Sequence, residues 1–275
     1  MTMASETIRV ERPTAPPRRW TNERVAGNVL MGFWFLFGCA LVWYIITAWS
    51  PEFFERYTAW YWVGLQRTII LVFGSMFFGA ILSVPIAYAR MSKNRTLSAI
   101  GYGYIYFFRG TPLIALVFLV YYGFGAFKPQ LESVGLWAFF RDEWYCAILA
   151  LALNTSAYQA EILRGAIQSV PGGQWEGAAS LGLHKWLTMR KIILPQALIV
   201  ALRPYGNELI LMIKGSAVVA LITVYDLMGM TRRVFSSSFD FQAYLWAALI
   251  YLIVVEALRH GVEWIERRIT RHLIR

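Results

Sequence analysis

Charged residues are scarce in this chain of 275 residues. Asp, Glu, Lys and Arg make up 15% of it, whereas a soluble domain carries about 25%. Hydrophobic residues make up 58%, and several apolar runs reach the ~20 residues that a helix needs to cross a bilayer. The alternating ten-residue strands of a membrane barrel are not seen. The sequence therefore predicts an all-α polytopic membrane protein.

Cysteine and histidine are also rare, and their positions argue against several kinds of site. Cys39 and Cys146 lie inside apolar runs, so we expect two buried thiols. The three His residues have no spacing typical of metal ligands. The G-x-x-x-x-G-K-[ST] motif that binds nucleotide phosphates is absent, and no nucleophile is convincingly paired with a base. We predict no metal site, no catalytic residue and no nucleotide hydrolysis by this chain. Because no internal repeat is visible, the paired halves of a secondary transporter are not supported either.

Acidic residues are fewer than basic ones, 16 against 26, which gives a net charge of +10. In a soluble protein this excess favours nucleic-acid binding, but in a membrane protein it marks the loops on the cytoplasmic side. The basic residues gather mainly in residues 9–24, 90–95, 185–191 and 259–275. We therefore predict no nucleic-acid partner, and both termini on the cytoplasmic side.

Six membrane-spanning segments are expected in the lipid bilayer. They lie at about residues 28–49, 64–89, 114–127, 144–167, 196–222 and 243–258. Residues 1–27 are polar and basic and lack the short apolar core of a cleaved signal, so they predict a cytoplasmic tail. Residues 263–275 predict a second, basic tail.

One polar stretch, EGAASLGLHKWLTMRKIILP at residues 176–195, is too short to span a bilayer. Pro171 and the glycines beside it end the preceding helix. Gly182 stands where a helix end favours a residue with positive φ, and Pro195 opens the next span. The small residues 177–180 form a thin face beside Glu176 that suits insertion into a cleft of another protein. The alternative is an ordinary amphipathic surface loop.

This stretch resembles the EAA loop of ABC importer permeases, with Glu176, Ala178, Gly182, Ile192, Leu194 and Pro195 in step. Gly177 departs from the family's alanine, which costs ~1 kcal/mol of helix propensity. Three further stretches, FFRGTPL, NTSAYQAEILRGAIQSVPGGQWE and ILPQALIVALRPYGNELILMIK, are similar to the branch that takes up histidine, glutamine, arginine and opines. The resemblance covers residues 61 to the C-terminus and implies a type I importer fold, with a permease domain at 61–262. It makes 28–49 an additional helix.

The resemblance also implies the partners. A separate dimer of ATPases, which binds ATP and Mg, docks on a coupling loop at residues 168–195. In this family the EAA helix transmits the movement of the ATPases, and a periplasmic binding protein delivers the substrate. The chain itself binds no cofactor, pairs with a second permease chain, identical or sister, and lies in a bacterial inner membrane. The residues implied in ATPase coupling are Glu176, Gly177, Ala178, Ala179, Gly182, Ile192, Leu194 and Pro195.

Polar residues inside the spans are candidates for the substrate pathway, because they are costly in a membrane. In the fourth span, Asn154, Tyr158 and Glu161 share one helix face. In the fifth, the candidates follow Pro204 and Gly206, which favour a bend. An amino acid carries an ammonium group, a partner for Glu161 or Glu208, and a carboxylate, a partner for Lys214. The full set is Arg109, Thr111, Asn154, Tyr158, Glu161, Asn207, Glu208, Lys214 and Ser216.

Structural roles are the alternatives for these residues. Glu208 is as well explained by a pair with Lys214, and Glu161 by a pair with Arg164 at the cytoplasmic end. Asp226, Arg232 and Arg233 are expected in an outer loop, facing the binding protein or solvent. The preferred function is the permease subunit of an ATP-driven importer for a polar amino acid or opine. The rival is a passive channel or membrane sensor that uses the surface helix to recruit a cytoplasmic partner.

Overall fold

The computed structural model of the protein describes residues 21–47 and 50–271. Within these ranges the chain is helical and forms no strand, as the sequence predicts. The helices are α1 Asn22–Thr47, α2 Pro51–Met91, α3 Arg95–Gly110, α4 Leu113–Phe118, α5 Lys128–Ser133, α6 Trp137–Phe140, α7 Glu143–Gln168, α8 Gly172–Ser180, α9 Lys185–Thr188, α10 Leu194–Gly215, α11 Leu227–Ser238 and α12 Gln242–Thr270. Short π-helical turns follow α4 and precede α10, and a 3₁₀ segment, Ser216–Ile222, follows α10.

Helix α1 corresponds to the predicted additional helix and forms a structural unit of its own. None of its residues is buried, and Cys39 is exposed, which corrects the expectation of a buried thiol. The reason is that an apolar run in a membrane protein indicates contact with lipid as well as burial in a core. Cys146 of α7 is buried as expected. Residues 1–20 and 48–49 of the predicted tail and helix lie outside the described residues.

The number of membrane spans agrees with the prediction. Five helices, α1, α2, α7, α10 with its flanking turns, and α12, are long and apolar enough to cross a bilayer, and a bent pair makes six. Helix α2 begins earlier than predicted, because the Ser50 side chain caps it by accepting from Phe53 N at 3.3 Å and a proline follows at the first position. Helix α12 continues to Thr270, so most of the predicted C-terminal tail is helical.

The predicted third span, residues 114–127, corresponds to α4 and its π-turn, which end at Gly123. The sequence analysis did not predict α3 before it, and the two form a pair bent by 104°. Asn94 starts α3 by accepting from Thr96 N and Leu97 N, a cap that the sequence analysis missed. Thr111 is extended before Pro112, which has no N–H to continue the helix. The break leaves Thr111 and Pro112 between the two helices, directly after Arg109 and Gly110 in the last turn of α3.

The second structural unit, residues 50–271 of the described chain, is centred on α2 and α7. Alanine residues of α7 and the glycine Gly79 of α2 allow these helices to approach closely. A Cβ atom at Gly79 would lie 2.5 Å from Thr155 Cγ2, so a larger residue there requires a shift of α7. A core of Leu71, Leu116, Leu151 and Ile213 joins α2, α4, α7 and α10.

Asp226 is buried and not in a solvent-facing loop, which corrects the sequence prediction. Its side chain is 0% exposed, and Oδ1 caps α11 by accepting from Gly229 N at 2.8 Å. The hydroxyl of Thr68 on α2 accepts from Leu227 N at 2.9 Å. Arg232 donates to the carbonyl of Ala220 at 2.9 Å. These contacts tie the start of α11 to the preceding 3₁₀ segment and to α2.

Candidate substrate cavity and coupling segment

A polar cavity lies where the break between α3 and α4 faces α7 and α10. It consists of two depressions of about 600 Å³ and 390 Å³. Both are lined by Arg109, Gly110, Thr111 and Tyr158, so they form one continuous surface. The larger depression extends to Arg90 and Glu161, and the smaller one to Asn154 and Glu208.

The bend after α3 places Arg109 and Thr111 in the wall of this cavity. The Arg109 guanidinium lies 4.8 Å from the centre of the Tyr158 ring, a cation–π contact that orients it without neutralising its charge. Thr111 ends α3, and its hydroxyl donates to Phe107 O at 2.7 Å. Thr111 therefore ends α3 and also lines the cavity.

Glu208 provides a buried carboxylate in the same cavity. It is 6% exposed, and its Oε1 accepts from the Thr155 hydroxyl at 2.9 Å. Among the ion pairs of the described residues, none includes Glu208, so the alternative pair with Lys214 is not formed. Asn154 Nδ2 donates to Phe108 O at 2.8 Å, which holds the end of α3 against α7.

Glu161 lies in the larger depression and is held by two arginines. Arg164 donates to both of its carboxylate oxygens, at 2.7 and 3.0 Å for the two shortest contacts, and Arg90 lies 3.8 Å away. Its predicted partner Arg164 is therefore present, together with a second cation from α2. Glu161 lines the cavity, but its charge is already compensated.

Three other candidates lie outside this cavity. Asn207 is exposed and lines a separate groove between α10 and α12. Lys214 is exposed and, within residues 21–47 and 50–271, belongs to no ion pair. Ser216 is buried and donates to Ile213 O at 2.9 Å. Helical positions 208 and 214 point in different directions. Of the four candidates between residues 207 and 216, only Glu208 therefore lines the cavity.

The polar stretch at residues 176–195 forms two short helices, as the sequence predicts. Helix α8 ends at a Schellman turn, in which Leu183 N donates to Ala178 O at 3.1 Å and Gly182 N to Ala179 O at 2.9 Å. Gly182 has a φ of +70°, which confirms the predicted left-handed residue. After α9, a π-helical turn joins Pro195 in the first turn of α10. We call residues 171–195 the coupling segment.

The coupling segment presents its small residues on two sides. Glu176, Gly177 and Ala179 are exposed, whereas Ala178 is 3% exposed and faces the rest of the protein. The exposed side of α8 is therefore formed by its neighbours, and Ala178 packs beneath them. Ile192 and Leu194 pack on a core with α2, α3 and α7, so they attach the segment to the helices of the cavity.

The sequence of this helical protein matches a known protein family. Residues 75–275 match the family described as the binding-protein-dependent transport system inner membrane component. The chain belongs to this family. It is the membrane-spanning permease subunit of an ABC transporter, and the ATPase activity of such a transporter belongs to a partner. The rival interpretation as a passive channel or sensor is not favoured.

Curated relatives of this permease belong to amino-acid and opine systems. It is 44% identical to the nopaline transport system permease protein NocM of Agrobacterium fabrum, over 73% of this chain and 85% of the relative. It is 37% identical to the octopine transport system permease protein OccM of Rhizobium meliloti, over 76% and 87%. It is 36% identical to the arginine ABC transporter permease protein ArtM of Haemophilus influenzae, over 73% and 88%.

A solved structure agrees with the type I permease fold. A crystal structure of an amino acid ABC transporter with histidines matches with a TM-score of 0.69 and 33% identity, over 80% of this permease and 100% of that chain. An inward-facing structure of the MetNI methionine ABC transporter matches with a TM-score of 0.64 and 21% identity, over 77% and 97%. The latter supports the fold alone.

Two cavity-related residues of the permease were missed by the sequence analysis. Thr155 and Gln159 are buried on α7 and hydrogen-bond to each other, and Thr155 also donates to Glu208. Their spacing of four residues places them on one helix face. That spacing was readable, but the neighbouring residues Asn154 and Tyr158 share the same periodicity. Only the position of α10 shows which of the two faces meets Glu208.

Proposed function

We propose that this permease moves a polar amino acid or an opine into the cell, and that the substrate binds between Arg109 and Glu208. The single observation that supports this proposal is the buried carboxylate of Glu208, which borders the cavity and belongs to no ion pair among the described residues. A carboxylate that is buried without a partner charge costs several kcal/mol. A substrate with an ammonium group supplies that charge.

The opposite charge of the substrate finds Arg109 in the same cavity. Every amino acid and opine carries a carboxylate, and an arginine binds a carboxylate through two parallel hydrogen bonds. Thr111, Asn154 and Tyr158 complete the wall with hydroxyl and amide groups. The names of the curated relatives, which refer to nopaline, octopine and arginine transport, support the same substrate class.

The coupling segment is the proposed docking site for the ATPase dimer, which binds ATP and Mg. Its exposed side carries Glu176, Gly177 and Ala179, and small residues allow a close approach of another protein. Its buried side packs on the helices of the cavity. A movement of the ATPases is thereby passed to the membrane helices as a rigid-body shift.

The proposed assembly contains a second permease chain, identical or sister, and a periplasmic binding protein that delivers the substrate. We place the complex in a bacterial inner membrane, with both termini of this chain in the cytoplasm. The permease domain is proposed at residues 61–262, with an additional helix at 28–49 before it. This orientation follows from the position of the basic residues.

The substrate proposal is tested with the complete transporter reconstituted in liposomes. ATP-driven uptake of labelled arginine, histidine, glutamine, nopaline and octopine is measured for the wild type and for Glu208→Gln. We expect the KM for the transported compound to rise at least about tenfold in the variant, because a hydrogen bond to a charged group is worth about 1.5–3 kcal/mol.

A matched control is Glu266→Gln. Glu266 forms an ion pair with Arg203 at 2.7 Å outside the cavity, so its loss should leave KM unchanged. An unchanged KM in Glu208→Gln would contradict the binding role of Glu208. Uptake of none of these compounds would contradict the substrate class.

A further inference from the structure

Behind the cavity wall, a chain of buried hydrogen bonds leads from α2 through α7 to Glu208 on α10. Gln159 Nε2 lies 3.1 Å from Met76 O and 3.2 Å from Thr155 Oγ1. Thr155 Oγ1 lies 2.9 Å from Glu208 Oε1. Thr155 and Gln159 are almost completely buried. Buried polar side chains are expensive unless they are satisfied, and here each satisfies the next.

The donors of this hydrogen-bond network are fixed: Gln159 donates to Met76 O and to Thr155, and Thr155 donates to Glu208. The carbonyl of Met76 can only accept, so the amide nitrogen of Gln159 must face it. The second hydrogen of that amide points to the oxygen of Thr155. The single hydrogen of Thr155 is then directed to Glu208 Oε1, the strongest acceptor in its reach; the other contact, Met76 Sδ at 3.3 Å, is a weak one. A proton on Oε1 would oppose the hydrogen of Thr155, so this oxygen is kept as an acceptor.

Helix α2 also fixes the side chains of this chain sterically. A Cβ atom at Gly79 would lie 2.5 Å from Thr155 Cγ2 and 3.0 Å from Gln159 Nε2. The backbone of α2 is therefore in close contact with both side chains. The methyl group of Thr155 thus lies against α2, while its hydroxyl lies 2.9 Å from Glu208 Oε1.

We infer that Thr155 and Gln159 are positioning residues that orient the Glu208 carboxylate for the ammonium group of the substrate. With Oε1 held by Thr155, the carboxylate has a fixed orientation, and Oε2 remains for a charge-assisted hydrogen bond. The inference rests on the proposed function, in which Glu208 binds that ammonium group. It adds that the affinity of the site is set by two residues that do not touch the substrate.

The test compares Thr155→Val with Thr155→Ser in the reconstituted transporter. Valine has the shape of threonine without the hydroxyl, and serine restores the hydroxyl. We expect valine to raise the KM of ATP-driven uptake about tenfold, the effect of one hydrogen bond to a charged group, with kcat changed less than about twofold. Serine should return KM to the wild-type value. Gln159→Leu should raise KM less. Thr155 still has a hydroxyl hydrogen to donate to Glu208, but Gln159 no longer orients that hydroxyl.

The matched control is Ser156→Ala, which removes the neighbouring buried hydroxyl of α7. Ser156 contacts Leu153 O and the Tyr104 hydroxyl instead of Glu208, so KM should not change. Membrane yield and melting temperature of each variant are measured beside uptake. If Thr155→Val does not assemble, Gln159→Leu against the wild type decides the question alone, and an unchanged KM there overturns the inference.

The outcomes separate this inference from the proposed function. A raised KM in Glu208→Gln with a wild-type KM in Thr155→Val overturns the positioning role and leaves the binding role of Glu208 intact. A wild-type KM in both variants removes the binding role itself. In the Glu208→Gln background, Thr155→Val should change KM less than about twofold, because the two residues act as one unit. A full tenfold loss in that background would show that Thr155 acts elsewhere.

Discussion

Asp226 leads to a quantitative prediction about pH and stability. It lies between the 3₁₀ segment and α11, outside the membrane-spanning segments, and is completely buried. Burial raises the pKa of Asp226 from 3.8 to about 6, although hydrogen bonds from the backbone at Gly229 and Met228 act in the opposite direction. The groups that face it are the hydroxyls of Thr68 on α2 and Tyr251 on α12. Neither supplies a positive charge.

The sign follows from proton binding in the two states. Between pH 4 and 6 the native state holds a proton on Asp226 that the unfolded state releases, so the free energy of unfolding falls as the pH rises. The stability that the protonated Asp226 provides is fully present below about pH 4, and it is lost as the pH rises through about 6. A shift of roughly two pKa units corresponds to about 3 kcal/mol.

The substitution Asp226→Asn isolates this effect. Asparagine keeps an oxygen that accepts from Gly229 N but carries no charge at any pH. We expect the variant to match the wild type near pH 4 and to be more stable by up to about 3 kcal/mol at pH 7.5. The measurement is the melting temperature of the purified transporter in detergent at several pH values.

The control for this measurement is Asp142→Asn, at the N-cap of α7. Asp142 accepts from Trp144 N at 2.9 Å, like a capping residue, but is partly exposed. An equal gain at pH 7.5 in both variants would point to a general effect of removing acidic charge. If Asp226→Asn is less stable than the wild type at pH 7.5, the buried charge of Asp226 does not destabilise the protein and the prediction is refuted.

Two further predictions concern the coupling segment. Gly177→Ala should stabilise α8 by about 1 kcal/mol with transport retained, since nothing lies within 4 Å of an added Cβ; a loss of ATP-driven uptake would show that the docking partner needs the glycine. Gly182→Val should allow membrane insertion but uncouple ATP hydrolysis from uptake, because a β-branched residue is strained at φ +70°. ATPase and uptake rates measured on the same liposomes check this, and normal coupling in Gly182→Val would contradict the role of the turn. In the cavity, Arg109→Met should raise the KM for the substrate about tenfold, because the variant loses a hydrogen bond to the substrate carboxylate. Arg203→Met, outside the cavity, should leave this KM unchanged.

Local signals made much of the fold predictable. The length of the apolar runs located the spans. Gly182 predicted the end of α8 and Pro195 the start of α10, through their backbone requirements alone. The start of α2 was predicted too late, because the Ser50 cap precedes a stretch with charges at Glu52 and Glu55. Helix α3 was not predicted, because its polar start and its aromatic residues do not form an apolar run as long as those of the other spans.

The cavity was predictable only in part. Helical periodicity correctly grouped Asn154 and Tyr158, and Arg109 and Glu208 were suspected because charges are rare in spans. Lys214 was selected for the same reason, as a charged residue in a span, but it does not line the cavity. The burial of Asp226 was missed, since a carboxylate that caps a helix among hydroxyls looks, in sequence, like one in an exposed loop. These distinctions depend on helix rotation and on tertiary contacts, which a single sequence does not encode locally.

The coupling segment begins shortly after the end of α7, at Gln168, and runs into the start of α10. Asn154 on α7 holds Phe108, next to Arg109, through its hydrogen bond, and α10 carries Glu208. In the proposed function, one displacement of this segment would act on both charged ends of the cavity together. Spreading the two helices would pull the positive and negative poles of the site apart, so the same stroke that opens an exit would also weaken the hold on a zwitterion. Release would then need no separate trigger.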